Sequence, residues 1–143
     1  MRFMSDECIF CKMFSGEVET RKIYEDENTL GIVDIIPRFA LGQCLVIHKR
    51  HVPQFYDLED EEVSQLFKAV KIVVHKLKKA YDPELVSILT RGKTFPHAHI
   101  LVFPSEPLDT LDGYITSLTN LRTLTLESTD SKLDEIAEKL REA

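Results

Sequence analysis

The chain has 143 residues, 43% of them hydrophobic and 29% charged, which fits one globular domain with a sizeable core. Its formal net charge of −6 argues against a broad duplex-binding surface, because such a surface needs many Lys and Arg contacts to phosphate. No apolar run approaches the roughly 20 residues that span a bilayer, and the first residues lack the apolar stretch of a signal peptide. We therefore expect a cytoplasmic protein without a membrane segment, and a small phosphorylated ligand at one local site stays compatible with the charge.

The N-terminal segment carries two of the three cysteines, Cys8 and Cys11, followed by a turn around Gly16. A Cys-x-x-Cys spacing in a chain without a secretion signal is typical of a metal-binding or redox-active site rather than of a structural disulfide. The alternative is a pair of buried, reduced thiols that act as small apolar residues. Cys44, inside a later apolar stretch, is expected to lie in the core.

Three strands are predicted next, over residues 21–26, 28–36 and 43–48. Pro37 ends the second of them, because proline has no N–H to donate to a ladder. A helix is predicted over 60–80, where apolar residues recur at helical spacing. Acidic residues in its first turn and lysines in its last turn complement the helix dipole.

Two more strands are predicted over 84–90 and 95–103, separated by a tight turn at Arg91-Gly92-Lys93. Residues 107–129 form a mixed region, and a final helix is predicted over 131–142, with Asp130 or Ser131 as its N-cap. Strands in hairpin-like succession around one long helix indicate an α+β class with an antiparallel sheet. A single domain over 1–143 is expected.

The strand at 95–103 contains His97 and His99. Because side chains alternate along a strand, both imidazoles are expected on one face and Ala98 and Ile100 on the other. Two imidazoles are unusual in a core, since a neutral ring needs partners for both nitrogens. They are either incidental residues of a half-exposed strand or functional groups, because histidine is the commonest metal ligand and a frequent base or nucleophile.

A first constellation joins the two N-terminal thiols to two imidazoles. Such a set suits tetrahedral metal coordination, and its members are Cys8, Cys11, His51 and His97. The long spacing between its halves is not that of a zinc finger. Spacing alone does not choose His51 over His48 or His75; His48 is expected at the surface and His75 on the solvated face of the helix.

A second constellation surrounds His99, whose imidazole is a competent nucleophile toward phosphorus. Phosphoryl chemistry also needs donors around the phosphate oxygens, and the turn just upstream offers Arg91, Lys93 and Thr94. Asp34 is a candidate acceptor for ribose hydroxyls. The alternatives are a solvated turn for the two cations and a turn-initiating role for the aspartate.

Together these residues resemble the histidine triad (HIT) family of nucleotide-binding hydrolases and transferases, over about residues 6–104. The Cys-x-x-Cys opening resembles the zinc-containing branch of that family. The matching stretches occur in the family's order: Cys8-Ile-Phe-Cys11-Lys-Met-Phe-Ser-Gly-Glu, Tyr24-Glu-Asp-Glu-Asn28, Asp34-Ile-Ile-Pro37, Gly42-Gln-Cys-Leu-Val-Ile-His-Lys-Arg-His51 and Gly92-Lys-Thr-Phe-Pro-His97-Ala-His99.

The resemblance implies an antiparallel sheet with flanking helices, usually as a homodimer, with 105–143 as a C-terminal extension. It implies that His99 attacks an α-phosphate to give a nucleotidyl-histidine, which water or another acceptor then resolves. His97 would join Cys8, Cys11 and His51 around a structural zinc ion. Asp34 would hold the ribose hydroxyls.

The chain also departs from the family motif, in which a third histidine stands where this sequence has Leu101. Lys93 replaces a glutamine that commonly follows the glycine, and no asparagine occurs within 84–96. Loss of a general acid costs about 10²–10⁴ in rate unless another group substitutes. We expect a hydrolase of nucleotide phosphoramidates or dinucleoside polyphosphates, or a nucleotidyl transferase; the alternative is a nucleotide-binding protein with little catalysis.

Overall fold

A computed structural model describes residues 7–106, 113 and 129–143 of the chain. It contains a five-stranded sheet in the order β1-β2-β3-β5-β4, in which every pairing is antiparallel. The strands are β1 (Lys22–Glu25), β2 (Thr29–Val33), β3 (Cys44–His48), β4 (Leu85–Leu89) and β5 (His99–Ser105). The predicted α+β class with an antiparallel sheet is confirmed.

The described helices are α1 (Ile9–Ser15), α2 (Asp60–Tyr81) and α3 (Asp130–Glu142), with a 3₁₀ turn at Phe55–Asp57. None of these helices combines the length and the apolar character that a membrane span needs. The chain divides into two compact units, Met1–Thr110 and Leu111–Ala143. The sheet, α1 and α2 belong to the first unit, and α3 belongs to the second.

Helix α2 covers one face of the sheet. It begins with a capping box between Glu59 and Glu62 and ends at Asp82, whose φ of 47° is left-handed. Its apolar stripe packs against the even-numbered side chains of β5, including Ile100 and Val102, which are fully buried. Burial of this kind supplies the main favourable free energy of folding.

Helix α1 covers part of the opposite face, where Phe10 packs against Leu30, Ile32 and Ile47. No helix was predicted at this position, where the sequence indicated only a turn near Gly16. The helix is seven residues long, and such a short segment leaves little periodic signal in the sequence. Gly16 ends it at a φ of 82°.

Two predicted strand boundaries are wrong. Strand β2 ends at Val33 rather than at 36, because the Asp34 carboxylate accepts a hydrogen bond from the backbone N–H of Ile36 and turns the chain. Strand β5 begins at His99 rather than at 95. His97 therefore precedes the strand, and the next N–H, that of Ala98, donates to Val52 in a loop.

Helix α3 begins one residue before the predicted helix. Its N-cap is Thr129, whose hydroxyl accepts from the N–H of Lys132, and not Asp130 or Ser131. Leu133, Ile136 and Leu140 share one stripe of this helix, as predicted, and all three are exposed. Most of the mixed region predicted over 107–129 lies outside the described residues.

Candidate functional site

The four residues of the predicted metal constellation meet at one point. Cys8 stands at the N-cap of α1 and Cys11 lies three residues later, so both thiols share one side of the helix. His51 follows β3 and His97 precedes β5, two segments that neighbour each other because β3 pairs with β5. Sheet pairing therefore brings the histidines together across 46 residues of sequence.

The ligand atoms of this group have the spacing of a tetrahedral metal site. The Cys8 thiol lies 3.3 Å from His97 Nδ1, the Cys11 thiol lies 3.4 Å from His51 Nδ1, and the two Nδ1 atoms are 3.0 Å apart. All four atoms lie within 4.8 Å of one another. Metal–ligand bonds of about 2.0–2.3 Å place tetrahedral ligands roughly 3.3–3.8 Å apart. The two thiol–imidazole distances fall in this range, and the distance between the Nδ1 atoms is shorter. The donor set fits zinc.

His97 is buried, and each of its polar groups has a partner. Its Nε2 donates to the main-chain carbonyl of His48 at 2.6 Å, which leaves Nδ1 deprotonated and directed at the thiols. Hydrogen bonding of the second ring nitrogen is the usual way a metal-binding histidine is oriented. Burial lowers the pKa of His97 to about 4, so the ring is neutral at pH 7.

His99 lies on the same side of the sheet as α1, 5.0 Å from the ring of Phe10 between centroids. Its Nδ1 donates to the main-chain carbonyl of His97 at 2.6 Å. This bond fixes the tautomer and leaves the lone pair on Nε2. Burial lowers the pKa of His99, while that carbonyl and the charge of Asp34 oppose the shift.

Asp34 is half-buried beyond the end of β2, and its carboxylate is held at both oxygens. One oxygen accepts from the side-chain amide of Gln43 at 2.6 Å, and the other accepts from the N–H of Ile36 at 2.9 Å. Gln43 is itself buried, and its amide oxygen accepts from the N–H of Phe39. The sequence interpretation missed Gln43, because the bond joins residues nine positions apart on separate segments.

The turn at 91–94 presents its predicted side chains to solvent. Arg91, Lys93 and Thr94 are exposed, and no hydrogen bond of these side chains to His99 is found among the described residues. A hydrogen bond holds the turn: the side-chain N–H of Gln54 donates to the carbonyl of Gly92 at 3.2 Å. Thr94 lines a small cavity together with Cys8 and His51, beside the thiol and imidazole group.

Cys44, His48 and His75 were predicted to lie outside the site. Cys44 is buried, as predicted, and burial raises the pKa of its thiol to about 11. His75 is exposed on α2, as predicted. The prediction of a surface-exposed His48 is wrong: the residue is buried, and its ring contacts Gln65 and the N–H of Arg50.

Comparison with known proteins identifies the class to which this fold and site belong. The HIT domain family matches residues 15–108, which is more than half of the chain. The chain therefore belongs to the HIT family.

Curated relatives support this membership. The chain is 36% identical over 101 residues to an uncharacterized HIT-like protein of Methanocaldococcus jannaschii, covering 68% of this chain and 78% of the relative. It is 32% identical over 106 residues to an adenosine 5′-monophosphoramidase of Schizosaccharomyces pombe, covering 69% and 76%. An adenylylsulfatase of Arabidopsis thaliana is 28% identical over 113 residues, covering 76% of this chain and 57% of that protein.

Solved structures share the fold. The crystal structure of SMU.412c from Streptococcus mutans superposes with a TM-score of 0.81 at 27% identity, over 99% of this chain and 88% of that one. A zinc-bound histidine triad family protein from Mycobacterium smegmatis superposes with a TM-score of 0.67 at 32% identity, over 76% and 81%.

Proposed function

We propose that this chain is a nucleotide hydrolase or nucleotidyl transferase that acts at an α-phosphate through His99. The observation that carries the proposal is the hydrogen bond from His99 Nδ1 to the His97 carbonyl, which leaves Nε2 as the nucleophilic atom. Relatives that act on adenylyl sulfate and on adenosine 5′-monophosphoramidate, both nucleotides with a scissile bond at the α-phosphate, support the same class of reaction.

In the proposed first step, His99 Nε2 attacks the α-phosphorus and the bond to the leaving group breaks. The imidazole then carries the nucleotidyl group on Nε2 and keeps its proton on Nδ1, where the His97 carbonyl stabilises the positive ring. In the second step water attacks phosphorus, the P–N bond breaks, its electron pair returns to Nε2, and the proton of the water passes to solvent.

The other site residues are proposed to bind and orient the nucleotide. Asp34, held by Gln43, would accept hydrogen bonds from the ribose hydroxyls through its remaining lone pairs. Arg91 and Lys93 would bring positive charge to the phosphates from an exposed turn, and Thr94 a hydroxyl.

A structural zinc ion is proposed at Cys8, Cys11, His51 and His97. The support is the spacing of the four ligand atoms and the bond that orients His97. When bound, the metal supplies a cross-link between α1, the loop after β3 and the segment before β5. The chemistry at phosphorus is assigned to His99 and not to this site.

We also propose a cytoplasmic homodimer in which 1–143 forms one HIT-like domain with 105–143 as its extension. β4 is an edge of the described sheet, and it exposes Leu85, Ile88 and Leu89. An edge strand with exposed apolar side chains favours pairing with another chain. Light scattering of the purified protein tests the dimer; a monomer at micromolar concentration would contradict it.

A second candidate function is nucleotide binding with little catalysis, and Leu101 favours it. This side chain stands two residues after His99 on the same face of β5 and has no proton to donate. Calorimetry with AMP beside a turnover assay separates the candidates. Binding without turnover, followed by a gain of turnover in Leu101→His, would support the second one.

The decisive experiment replaces His99 with alanine and measures turnover of adenosine 5′-monophosphoramidate, adenylyl sulfate and a dinucleoside polyphosphate. We expect turnover to fall by about 10⁴-fold or more, because the covalent route is lost. His75→Ala is the matched control, since His75 is exposed on α2, and it should change nothing. Unchanged turnover in His99→Ala would rule the mechanism out.

A further inference from the structure

The imidazole of His99 lies among apolar side chains. The ring of Phe10 is 5.0 Å away, Ile47 pairs with His99 across the β3–β5 ladder, and Leu101 is the next side chain on the same face. Leu101 in turn pairs with Leu45 on one side and Leu89 on the other. Along the sheet, the direct neighbours of the nucleophile are therefore hydrocarbon.

Three polar hydrogens close to His99 already donate hydrogen bonds to main-chain carbonyls. His97 Nε2 donates to the His48 carbonyl, His99 Nδ1 donates to the His97 carbonyl, and the Thr90 hydroxyl donates to the His99 carbonyl. Releasing any of them would leave a main-chain carbonyl without its donor, at a cost of about 1–3 kcal/mol if it stayed buried.

The Gln43 amide and the Asp34 carboxylate on this face also have hydrogen-bond partners. Gln43 donates to Asp34, and the Asp34 carboxylate accepts hydrogen bonds at both oxygens. An ionised carboxylate is an acceptor only. Among the described residues that pair with His99 or bond within this face, none therefore holds a side chain placed to protonate a departing group.

Positive charge, in contrast, is available. The turn just before the nucleophile exposes Arg91 and Lys93, and the bond from Gln54 to the Gly92 carbonyl holds that turn. Cations stabilise negative charge that develops on a departing oxygen without transferring a proton. At the phosphates, Arg91 and Lys93 would therefore favour the departure of an anion.

Resting on the proposed attack by His99, we propose that this site selects nucleotides whose α-phosphate carries an oxyanion leaving group, such as sulfate, phosphate or a polyphosphate. A nucleotide whose leaving group must be protonated to depart, such as the amine of a phosphoramidate, is a poor substrate. Leu101 is the residue that sets this selectivity, by withholding a proton beside the nucleophile.

For nucleotides with an oxyanion leaving group, the first step needs no acid. The Nε2–P bond forms, the P–O bond to sulfate or phosphate breaks, and its electron pair stays on the departing oxygen as a stable anion. For a phosphoramidate, the pair from the P–N bond would go to nitrogen, which leaves as an amine only when a proton arrives. A positioned general acid contributes about 10²–10⁴ in rate. Phosphoramidates lose this factor at a site without such an acid.

The first experiment uses the unmodified protein and compares kcat/KM for adenylyl sulfate with kcat/KM for adenosine 5′-monophosphoramidate. We expect the sulfate substrate to be favoured by at least about 10²-fold, the lower end of a general-acid contribution. A series of aryl esters of AMP should show kcat/KM falling steeply as the pKa of the leaving phenol rises. Equal rates for the two nucleotides, or a flat aryl series, would overturn the inference.

The second experiment uses Leu101→His, with Leu101→Met as the apolar control of similar size. We expect the histidine variant to raise phosphoramidate turnover by about 10-fold or more and to leave sulfate turnover nearly unchanged, while the methionine variant alters neither. An equal gain on both substrates contradicts a role in proton supply. If the histidine variant fails to fold, the aryl series with the unmodified protein decides.

His99→Ala separates this inference from the function on which it rests. Loss of both activities in that variant, with no preference between leaving groups in the unmodified protein, contradicts the inference alone. Retention of both activities contradicts the proposed function as well.

Discussion

The two faces of the sheet differ in the interactions that stabilise them: one lies beneath α2 and the other carries His99. Under α2 the packing is mainly apolar, with Ile100 and Val102 fully buried against the helix stripe. On the other face, polar groups meet in pairs: Asp34 with Gln43, and Cys8 with His97. The face beneath α2 is stabilised mainly by the apolar area that it buries. The other face combines a smaller apolar cluster around Phe10 with a few directional contacts whose partners come from distant segments.

That difference predicts how each face responds to substitution. Apolar packing spreads its free energy over many contacts, so a single change costs stability in proportion to the volume removed. Directional contacts concentrate the free energy in a few bonds, so a single change there removes a large share of it together with one function. Three substitutions test this contrast.

Cys8→Ser should have the largest effect on stability, because a serine hydroxyl is a poor replacement for a thiolate in a Cys₂His₂ set. If zinc is present at a thousandfold its Kd, its loss removes about 4 kcal/mol of stability. Elemental analysis should find about one zinc per chain in the unmodified protein and little in the variant. Full metal content in Cys8→Ser, or metal-free protein of full stability, would contradict the zinc site.

Cys44→Ala is the matched control for this change, because Cys44 is the cysteine outside the four-residue group. It should keep the metal and lose only packing and the bond from its thiol to the Gly42 carbonyl. The two variants therefore separate loss of a thiol from loss of a ligand.

Ile100→Ala should cost about 3 kcal/mol, since it opens a cavity beneath α2 where the side chain is fully buried. Denaturant unfolding measures this cost. Zinc content and nucleotide affinity of the folded variant should be unchanged, because its side chain lies on the other face of the sheet. Ile72→Ala, at a position on α2 that is 37% exposed, is the control and should cost much less.

Gly92→Ala should have the smallest effect on stability and a selective effect on the site. At a φ of 60°, a Cβ would lie 2.7 Å from the side-chain nitrogen of Gln54, and an L-residue in this region costs about 1–2 kcal/mol. The end of the Gln54 side chain must move, which breaks its bond to the Gly92 carbonyl and loosens the turn that carries Arg91 and Lys93, so KM should rise more than kcat falls.

Gly16→Ala is the control for Gly92→Ala, because Gly16 also has a left-handed φ, of 82°, but nothing lies within 4 Å of its Cβ position. It should show the backbone cost without the change in KM. An equal rise of KM in both variants would contradict a specific role for the contact with Gln54.

The contrast between the faces also explains what the sequence could predict. Alternating and helical periodicities report burial, so the strands and α2 were predicted within a few residues. The ends of β2 and β5 were not, because a side-chain bond at Asp34 and a loop contact at Ala98 end the regular pairing. Neither contact leaves a periodic signal.

The grouping of the Cys and His residues was predictable from the sequence, and the bonds that support the site were less so. Residue types and the family resemblance identified the Cys and His set, and the structure brings its members together. Spacing could not choose among the histidines. The supporting bonds from Gln43 and Gln54, and the burial of His48, depend on segments far apart in the chain.

One consequence follows from the carbonyl of His97. The acceptor that sets the proton of His99 belongs to the main chain and not to a side chain. Replacing the imidazole of His97 therefore removes one member of the proposed metal site but keeps the carbonyl that selects the tautomer of His99. The tautomer of His99 is set by the backbone path itself, so the proposed metal site and the proposed nucleophile are separable by mutagenesis at residue 97.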